Sequence, residues 1–228
     1  MAIDTPSVSD MRISYDKDTL LERDLASTPL EQFTKWLHEA VALGKEALIE
    51  PNAMVLSTVA HNGDVASRSV LLKGIDERGL TFFTNYGSKK AQDISENPHV
   101  SAVFPWYPQH RQVIVIGTAS KVSRSESEEY FRTRPHKSQL GAIASAQSTH
   151  IDSRSVLEER MTELEEQYPE GTDIPMPDFW GGFLIEVESM EFWQGRRSRL
   201  HDRLRFVRQG QVSALNDADA WNIIRLSS

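Results

Sequence analysis

The sequence predicts a mainly β protein with peripheral helices (α+β), built as a barrel or a sandwich. From residue 53 the chain runs through short segments rich in β-branched residues, with turn residues between them. One turn contains Asn62-Gly63, a strong hairpin signal because both residue types accept a positive φ. No repeat, low-complexity tract or linker divides the chain. We therefore predict one domain over residues 11–228, after a flexible tail at residues 1–10.

The composition narrows the possible chemistry. The 228 residues carry a net charge of -8 and include no cysteine. Thiolate catalysis, disulfides and cysteine metal sites are therefore excluded, and any redox chemistry requires a bound cofactor. We assign no metal ligands. The acidic balance argues against a nucleic-acid partner. No apolar run approaches the roughly 20 residues of a membrane span, and the start lacks a secretory signal, so we expect a cytoplasmic protein.

The first helix is predicted to begin at Thr28, with Pro29 at its first position and Glu31 in capping-box spacing, and to end at Gly44. Its predicted core stripe consists of Leu30, Phe33, Trp36, Leu37, Ala40 and Val41. Further helices are predicted over 89–97, from 125 to a stop at Pro135, over 139–146, and from a second capping box at Ser155 and Glu158. The predicted strands are 54–59, 66–75, 80–85, 100–105, 112–122, 183–191, 203–208 and 221–226.

The most unusual segment is residues 192–203, in which four arginines and a histidine follow Trp193 in an otherwise acidic chain. Arginine presents a planar fork of donors, so this cluster could hold a flat anionic ligand by stacking and bidentate hydrogen bonding. The alternative interpretation is a solvated basic hairpin.

One other place suggests phosphate binding. The Gly87-Ser88 turn opens a helix with Lys89 and Lys90, where free amides and ammonium groups converge. Arg68 and Lys73 stand five positions apart on one predicted strand, so alternation directs them to opposite faces and they need not share a ligand. Taken alone, this pair is better interpreted as edge-strand charges.

Tyr130, Arg134 and Ser138 are spaced by four, although Pro135 interrupts the helix that would align them. A chain bent at the proline would still bring a hydroxyl, a guanidinium and a second hydroxyl to one phosphate. Gln147-Ser148 indicates little alone, because such pairs occur on many loops.

In their order along the chain, these motifs resemble the pyridoxamine (pyridoxine) 5′-phosphate oxidase family. The resemblance runs from about residue 12 to residue 226. It is carried by Arg68 to Lys73, Phe82-Phe-Thr-Asn85, Ser88-Lys-Lys90, Arg111-Gln-Val113, Tyr130-Phe131, Arg134-Pro135, Ser138-Gln139, Gln147-Ser148, Phe179-Trp-Gly-Gly-Phe183, Phe192-Trp-Gln-Gly195 and Arg199-Leu-His-Asp-Arg203.

The resemblance implies an FMN-binding split β-barrel that works as a homodimer, with FMN at the subunit interface and contacts from both chains. It also implies oxidation of pyridoxamine or pyridoxine 5′-phosphate to pyridoxal 5′-phosphate, with O2 as acceptor and release of H2O2. The partners are then these small phosphorylated B6 vitamers and O2. The flavin carries the chemistry, and the protein supplies position and electrostatics.

The resemblance also implies the site residues. FMN would be held by Arg68, Ser69, Val70, Leu71, Leu72, Lys73, Phe83, Thr84, Lys89, Lys90, Gln112, Gln147, Ser148, Trp193 and Arg203. The substrate would contact Arg12, Tyr15, Lys73, Tyr130, Arg134, Ser138, Arg199 and His201. Arg199 and His201 would be catalytic, orienting the reactive carbon, with His201 also able to handle a proton.

Lys89 stands where the family pattern usually has arginine, which replaces a bidentate fork with a point charge. Arg196 and Arg197 match no family position and are expected to be solvated. Two other functions stay open: a split-barrel carrier or sensor of FMN or pyridoxal phosphate without turnover, and a flavin reductase that uses a nicotinamide donor.

Overall fold

The computed structural model describes residues 14–15, 18–211 and 214–228. The predicted tail at residues 1–10 and the predicted substrate contact Arg12 lie outside this part of the chain. The strands are β1 Ala53–Val59, β2 Val65–Leu71, β3 Gly74–Asp76, β4 Gly79–Asn85, β5 His99–Trp106, β6 Arg111–Lys121, β7 Trp180–Gln194, β8 Asp202–Arg208 and β9 Trp221–Arg225. The helices are α1 Pro29–Ala42, α2 Lys89–Glu96, α3 Arg124–Thr133, α4 His136–Ala144 and α5 Ser155–Gln167.

The strands of the described ranges form one antiparallel sheet, which curls into a half-barrel. Its order is β2-β1-β5-β6-β7-β4-β3, and β8 pairs with β7 and β9. The prediction of a mainly β protein with peripheral helices is therefore confirmed. Within the same ranges, no helix has both the length and the apolar composition needed to cross a membrane.

Strand β7 organises this sheet because it is paired along both edges. One edge pairs with β6 over nearly the whole length of β7. The other edge is divided, since β4 pairs with residues 180–185 and β8 with residues 189–194. The two halves of β7 therefore reach different neighbours while belonging to one continuous strand.

The core lies between this sheet and α1. Phe33 and Trp36 of α1 contact Phe104 and Phe192 of the sheet edge-on, at centroid distances of 4.9 Å and 5.2 Å. A second, smaller cluster joins α3, α4 and the start of β7 through Phe131, Leu140, Ile174 and Trp180. This second cluster places α3 and α4 over the end of the sheet where β4 meets β7.

Several local predictions are corrected. In α1, Thr28 does accept a hydrogen bond from the Glu31 amide, but the Glu31 carboxylate accepts from Ser27 instead of completing a box. Val41 is 56% exposed and does not belong to the core stripe. The box at Ser155 is absent, because Arg154 is the N-cap and Ser155 is already helical.

A capping box does occur at α3, between Ser123 and Glu126, two residues before the predicted start. In the β1–β2 hairpin, Gly63 takes a positive φ of 89° but Asn62 does not. The Ala60 amide donates to Asp64 and the Gly63 amide to Ala60, so the loop has three residues instead of two. The predicted strand 66–75 is divided into β2 and β3, with a break at Leu72 and Lys73.

Gly117 lies where the β6–β7 pairing shifts by one residue. Ile116 pairs with Ser189 and Gly117 with Val187, so Glu188 is an extra residue in β7. A Cβ at Gly117 would lie 2.0 Å from the Glu186 carbonyl oxygen. Only glycine allows this approach of two backbones.

We expect Gly117→Ala to lower the free energy of unfolding by about 2–3 kcal/mol, because the clash involves backbone that cannot move aside easily. The matched control is Gly74→Ala, whose Cβ would meet Thr81 at an ordinary 3.6 Å. Chemical denaturation followed by circular dichroism measures both. Equal stability of the two variants would contradict the assignment of a tight bulge.

Candidate active site

A cavity of about 690 Å³ opens where β2 and β4 meet the α3–α4 pair. Its lining combines basic, hydroxyl and aromatic side chains. The lining residues are Arg68, Ser69, Val70, Leu71, Lys73, Phe83, Thr84, Asn85, Lys90, Tyr130, Arg134, Ser138, Gly141, Ala142, Ser145, Gln147 and Trp180. Most of the residues predicted to hold a phosphate-bearing cofactor and substrate are therefore brought together in one place.

Four cations share this cavity: Arg68, Lys73, Lys90 and Arg134. One guanidinium nitrogen, Nη1 of Arg134, is buried and has no hydrogen-bond partner. A buried charged donor without a partner is unfavourable, and an anion in the cavity would supply the missing acceptor. The lining therefore fits an anionic ligand.

Arg68 is held by the strands beside it. Its Nη1 donates to the Leu56 carbonyl oxygen at 3.1 Å and to Thr58 Oγ1 at 2.8 Å, and its Nη2 lies 3.9 Å from the Asp93 carboxylate. Burial lowers the pKa of Arg68, and the charge of Asp93 opposes this effect. The guanidinium is thus fixed from behind, which leaves its cavity side for a ligand.

Lys90 is almost fully buried at the start of α2. Its ammonium donates to Gln147 Oε1 at 2.8 Å, to Thr84 Oγ1 at 3.1 Å and to Ser88 Oγ at 3.3 Å. Burial, followed by the charge of Arg68, lowers the pKa of Lys90 to about 8. An anion between Arg68 and Lys90 would offset both causes and restore the charge of the amine.

Lys89 and Leu72, both predicted to hold the cofactor, contact other residues instead of lining the cavity. The Lys89 ammonium pairs with the buried carboxylate of Asp93, four residues along α2, and is not part of the cavity lining. Leu72 is 5% exposed and packs in the main core. Asp93 contacts both Lys89 and Arg68. The (i, i+4) spacing on the predicted helix could have indicated the pair of Asp93 with Lys89.

Arg68 and Lys73 line the same cavity, against the prediction from strand alternation that they face opposite ways. The reason is the break after Leu71, where β2 ends. Beyond it the Leu72 amide donates to Asn52 and the Lys73 amide to Thr81, so the chain changes partner strand. Counting by two across the break is not valid.

The helical side of the cavity brings Tyr130, Arg134 and Ser138 together, as the bend at Pro135 allowed. Helix α3 ends at Thr133 and α4 begins at His136, so Arg134 lies in the bend. Tyr130 stacks on Phe83 at 4.0 Å, and Phe83 lies parallel to Trp180 at 5.5 Å. The Arg134 guanidinium lies 4.8 Å from the Trp180 ring centre. Trp180 was not predicted as a site residue, although it belongs to the quoted 179–183 motif.

Several of the remaining predicted residues form a second group on the other half of β7. Gln112 pairs with Trp193 in the β6–β7 register, and Trp193 pairs with Arg203 in the β7–β8 register. Directly paired residues point to the same face of a sheet, so these three form one row. Tyr15 and His201 pack on Trp193, at centroid distances of 5.9 Å and 4.7 Å.

His201 has a defined hydrogen-bond acceptor. Its Nδ1 accepts from the Arg196 backbone amide at 3.0 Å, so the neutral ring carries its hydrogen on Nε2. Burial and the nearby positive charge of Arg199 lower the pKa of His201. The ring therefore keeps its neutral form to a lower pH than an ordinary histidine.

The loop that carries Arg199 has an unusual backbone. Ser198 and Arg199 both have positive φ, at 57° and 61°, although neither is glycine. Arg196 is not simply solvated, because its Nη1 donates to Asp202 at 3.1 Å. In a single chain, none of Tyr15, Gln112, Ser148, Trp193, Arg199, His201 and Arg203 lines the cavity.

Two family models together match most of the chain. Residues 42–168 match the family model described as pyridoxamine 5′-phosphate oxidase. Residues 180–228 match the pyridoxine 5′-phosphate oxidase C-terminal dimerisation region. The chain belongs to the pyridoxamine 5′-phosphate oxidase family. Its members are oxidoreductases, and the C-terminal match supports a dimer. Trp193, Arg199, His201 and Arg203 lie in the matched C-terminal range.

Two relatives of similar length are identical to this chain at about half of the aligned positions. The pyridoxine/pyridoxamine 5′-phosphate oxidase of Streptomyces avermitilis is 49% identical over 95% of this chain and 94% of its own length. The protein of the same name from Yersinia pestis bv. Antiqua (strain Angola) is 46% identical over 96% of both chains.

Among solved structures, PhzG from Burkholderia lata 383, in complex with tetrahydrophenazine-1-carboxylic acid, superposes with a TM-score of 0.81. It is 29% identical and covers 92% of this chain and 98% of its own. A pyridoxamine 5′-phosphate oxidase-related FMN-binding protein from Nostoc punctiforme, 17% identical, gives a TM-score of 0.66 over 86% of this chain and 97% of its own. Together these confirm the split-barrel fold of this oxidase family member.

A buried carboxylate underlies the Trp193–Arg203 row. Glu191 is 2% exposed and accepts from Arg203 at 2.7 Å and from Arg205 at 2.6 Å. Burial acts to raise the pKa of Glu191, but the two arginines outweigh it, so the pKa is lowered overall. Removing this carboxylate would leave two guanidinium groups short of an acceptor.

We expect Glu191→Gln to lower the free energy of unfolding by about 3 kcal/mol at pH 7. Because the folded-state pKa lies below the unfolded value of about 4.3, the carboxylate stabilises the fold above that pH. This contribution is lost as the pH falls through the folded pKa, so the difference between the proteins should shrink below pH ~4. Urea unfolding at several pH values measures it. Glu188→Gln, at the weak 4.0 Å pair with Arg208, is the control. A Glu191→Gln difference independent of pH would contradict the explanation.

Proposed function

We propose that this chain is an FMN-dependent oxidase that converts pyridoxamine 5′-phosphate and pyridoxine 5′-phosphate to pyridoxal 5′-phosphate, with O2 as acceptor and H2O2 as product. The observation that carries the proposal is the cavity lined by four cations. The charge of Arg68 acts on Lys90, so we take these two as a first group, and we assign Lys73 and Arg134 to a second group. A flavin mononucleotide and a phosphorylated vitamer each bring one phosphate, so the pair of ligands needs two such groups.

The first group supports FMN binding. Arg68 and Lys90 would hold its phosphate, with Gln147 and Ser148 beside the ribityl chain, and Val70, Leu71, Phe83 and Thr84 would surround the rest. FMN, when bound, supplies the redox chemistry by taking two electrons from the substrate and passing them to O2. The protein's contribution is to fix the anion, because Arg68 is already positioned by Thr58, Leu56 and Asp93.

The second group supports binding of the substrate phosphate. Arg134 presents the buried donor without a partner, and Lys73, Tyr130 and Ser138 add an ammonium and two hydroxyls to the same wall. Guanidinium, ammonium and hydroxyl donors are the usual partners of a phosphate dianion. Binding of the substrate phosphate to these donors would hold the vitamer ring at a fixed distance from the phosphate site.

The dimer would complete the site. Trp193 and Arg203 lie in the range that matches the family's dimerisation region, Gln112 pairs with Trp193, and none of the three lines the cavity of its own chain. We propose that in the homodimer this row closes the cavity of the partner subunit against the flavin, and that Arg199 and His201 cover the substrate. His201, neutral and with its hydrogen on Nε2, could then donate a hydrogen bond to the substrate. A cytoplasmic location stays a prediction.

A purified yellow protein should consume O2 and release H2O2 when given pyridoxamine 5′-phosphate. Arg134→Met should raise KM for this substrate by about 100-fold or more, since it removes a buried charged donor, while the flavin absorbance stays. Arg132→Met, an exposed neighbour on α3, is the control. A flavoprotein that binds the vitamer without O2 consumption would indicate a carrier. Rapid bleaching by NADPH would indicate a reductase.

The similarity to PhzG gives a second candidate, an oxidase of a reduced aromatic carboxylic acid. Such a substrate has no phosphate, so Lys73 and Arg134 would face only a carboxylate. We expect turnover of pyridoxamine 5′-phosphate to exceed that of tetrahydrophenazine-1-carboxylic acid, measured by O2 uptake at equal concentrations. The opposite order would favour the second candidate.

FMN affinity should depend on the charge of Lys90. With a free-state pKa of about 8, the amine is charged at pH 7 and mostly neutral at pH 9. If bound FMN keeps it charged, Kd should rise about tenfold between these pH values. Lys90→Gln should bind more weakly at pH 7 and lose this dependence. Flavin fluorescence quenching at constant ionic strength measures Kd, with Lys137→Gln, at an exposed pair with Glu165, as control. The same pH dependence in Lys90→Gln would exclude Lys90 as its cause.

A further inference from the structure

Asp202 connects three parts of the chain that are distant in sequence. It is the first residue of β8, it is 9% exposed, and it directly follows His201. Its Oδ2 accepts from the Leu20 amide and from Arg196 Nη1, both at 3.1 Å. Its Oδ1 accepts from Arg225 Nη1 at 2.9 Å. One carboxylate therefore holds the N-terminal segment, the basic loop and the last strand.

The bond to Arg196 leads to His201. The side chain of Arg196 is fixed to Asp202, and its backbone amide donates to His201 Nδ1. A residue anchored at both its side chain and its backbone cannot rotate its amide away without breaking one of the two bonds. The position of that amide, and with it the tautomer of His201, therefore depends on Asp202.

The bond to Leu20 leads to a second contact of the same ring. The chain before Leu20 carries Tyr15, whose ring contacts His201 at 5.8 Å, edge-on. Arg225 strengthens this anchor, because its Nη2 donates to the Leu20 carbonyl oxygen at 3.1 Å. His201 thus contacts two segments, the basic loop and the N-terminal segment, and both are attached to Asp202.

The basic loop needs such an anchor. Its Ser198 and Arg199 have positive φ, which costs energy for residues other than glycine, and Leu200 is 75% exposed. A strained and exposed loop keeps one conformation only if contacts at its ends fix it. The Arg196–Asp202 pair spans the loop from one end to the other.

We propose that Asp202 is a positioning residue that fixes the orientation and tautomer of His201 through Arg196. The proposal gives a role to Arg196, whose side chain matches no motif of the family resemblance. It rests on the proposed function only where His201 is taken to contact the substrate. The placement of the ring can be measured without any substrate.

The test reads His201 directly in the flavin-loaded protein, by heteronuclear NMR of the histidine ring nitrogens over a pH series. The chain has seven histidines, so the spectrum of His201→Asn assigns the signal. Among the described residues, Arg199 acts on the ring through its charge and Tyr15 contacts it, while Arg196 and Asp202 are joined to it through the Arg196 amide. In the unchanged protein Nδ1 should appear as the unprotonated acceptor and Nε2 as the donor.

Asp202→Asn should raise the pKa of His201 and mix the two tautomers, because the Arg196 amide is no longer held against Nδ1. In turnover experiments, kcat/KM for pyridoxamine 5′-phosphate should fall about tenfold, and its acid limb should move to higher pH. Unchanged nitrogen shifts together with a lower melting temperature would show that Asp202 only stabilises the fold, and would overturn the proposal.

Two further variants keep the test decisive. Arg196→Gln removes the side-chain link from a partly exposed position and leaves Asp202 bonded to Leu20 and Arg225, so it should fold even if Asp202→Asn does not. It should change the His201 signal in the same direction. Glu22→Gln removes a different partner of Arg225, at 2.7 Å, and should leave the His201 signal unchanged. A changed signal in Glu22→Gln, or an unchanged one in Arg196→Gln, would overturn the proposal.

These outcomes are separable from failure of the proposed function. If the protein oxidises no B6 vitamer but the NMR series behaves as expected, the positioning role stands and the assignment of the substrate is wrong. If the protein turns over pyridoxamine 5′-phosphate while all variants keep the His201 signal, the positioning proposal alone fails.

Discussion

The pairing of β7 along its whole length is the constraint on which the rest of the structure depends. Its first half, paired with β4, positions Trp180 against Phe83 and thereby supports the helical wall of the cavity. Its second half, paired with β8, carries the Glu191, Trp193 and Gln194 side of the molecule. A continuous strand paired on both edges transmits position more precisely than a loop, because most of its backbone groups are fixed by hydrogen bonds. The bulge at Gly117 adjusts the two halves to each other.

Electrostatics then divides the molecule into two kinds of charged site. In the cavity, the basic groups of Lys90 and Arg134 lack sufficient counter-charge, so burial lowers their pKa values. On the second half of β7, Glu191 and its arginines satisfy one another, and the pKa of the carboxylate is lowered. Unpaired buried charge indicates a place for a ligand, whereas paired buried charge indicates support. This criterion supports the proposal that Arg134 binds a ligand, and it indicates a structural role for Arg205.

Three buried acidic residues are partners or chain neighbours of residues that the motifs identify. Asp93 stands behind Arg68, Glu191 behind Arg203, and Asp202 behind His201. Each is an acidic residue that is 9% exposed or less. The chain has 33 acidic residues, so composition does not distinguish these three from the others. Their contribution is orientation, since a guanidinium or imidazole without a fixed partner would sample many rotamers.

The sequence by itself determined the local elements and the set of residue types in the site. Periodicity, Gly63 and the Thr28 cap are local signals, and the ordered motifs predicted the family because their spacing reflects shared chemistry. Only the tertiary structure decided which residues meet. Arg68 and Lys73 share the cavity because β2 breaks at Leu72, and Tyr130 meets Ser138 because the chain bends at Pro135. The acidic partners Glu191 and Asp202 emerge from strand register and from contacts across as many as 182 positions, which no local pattern encodes.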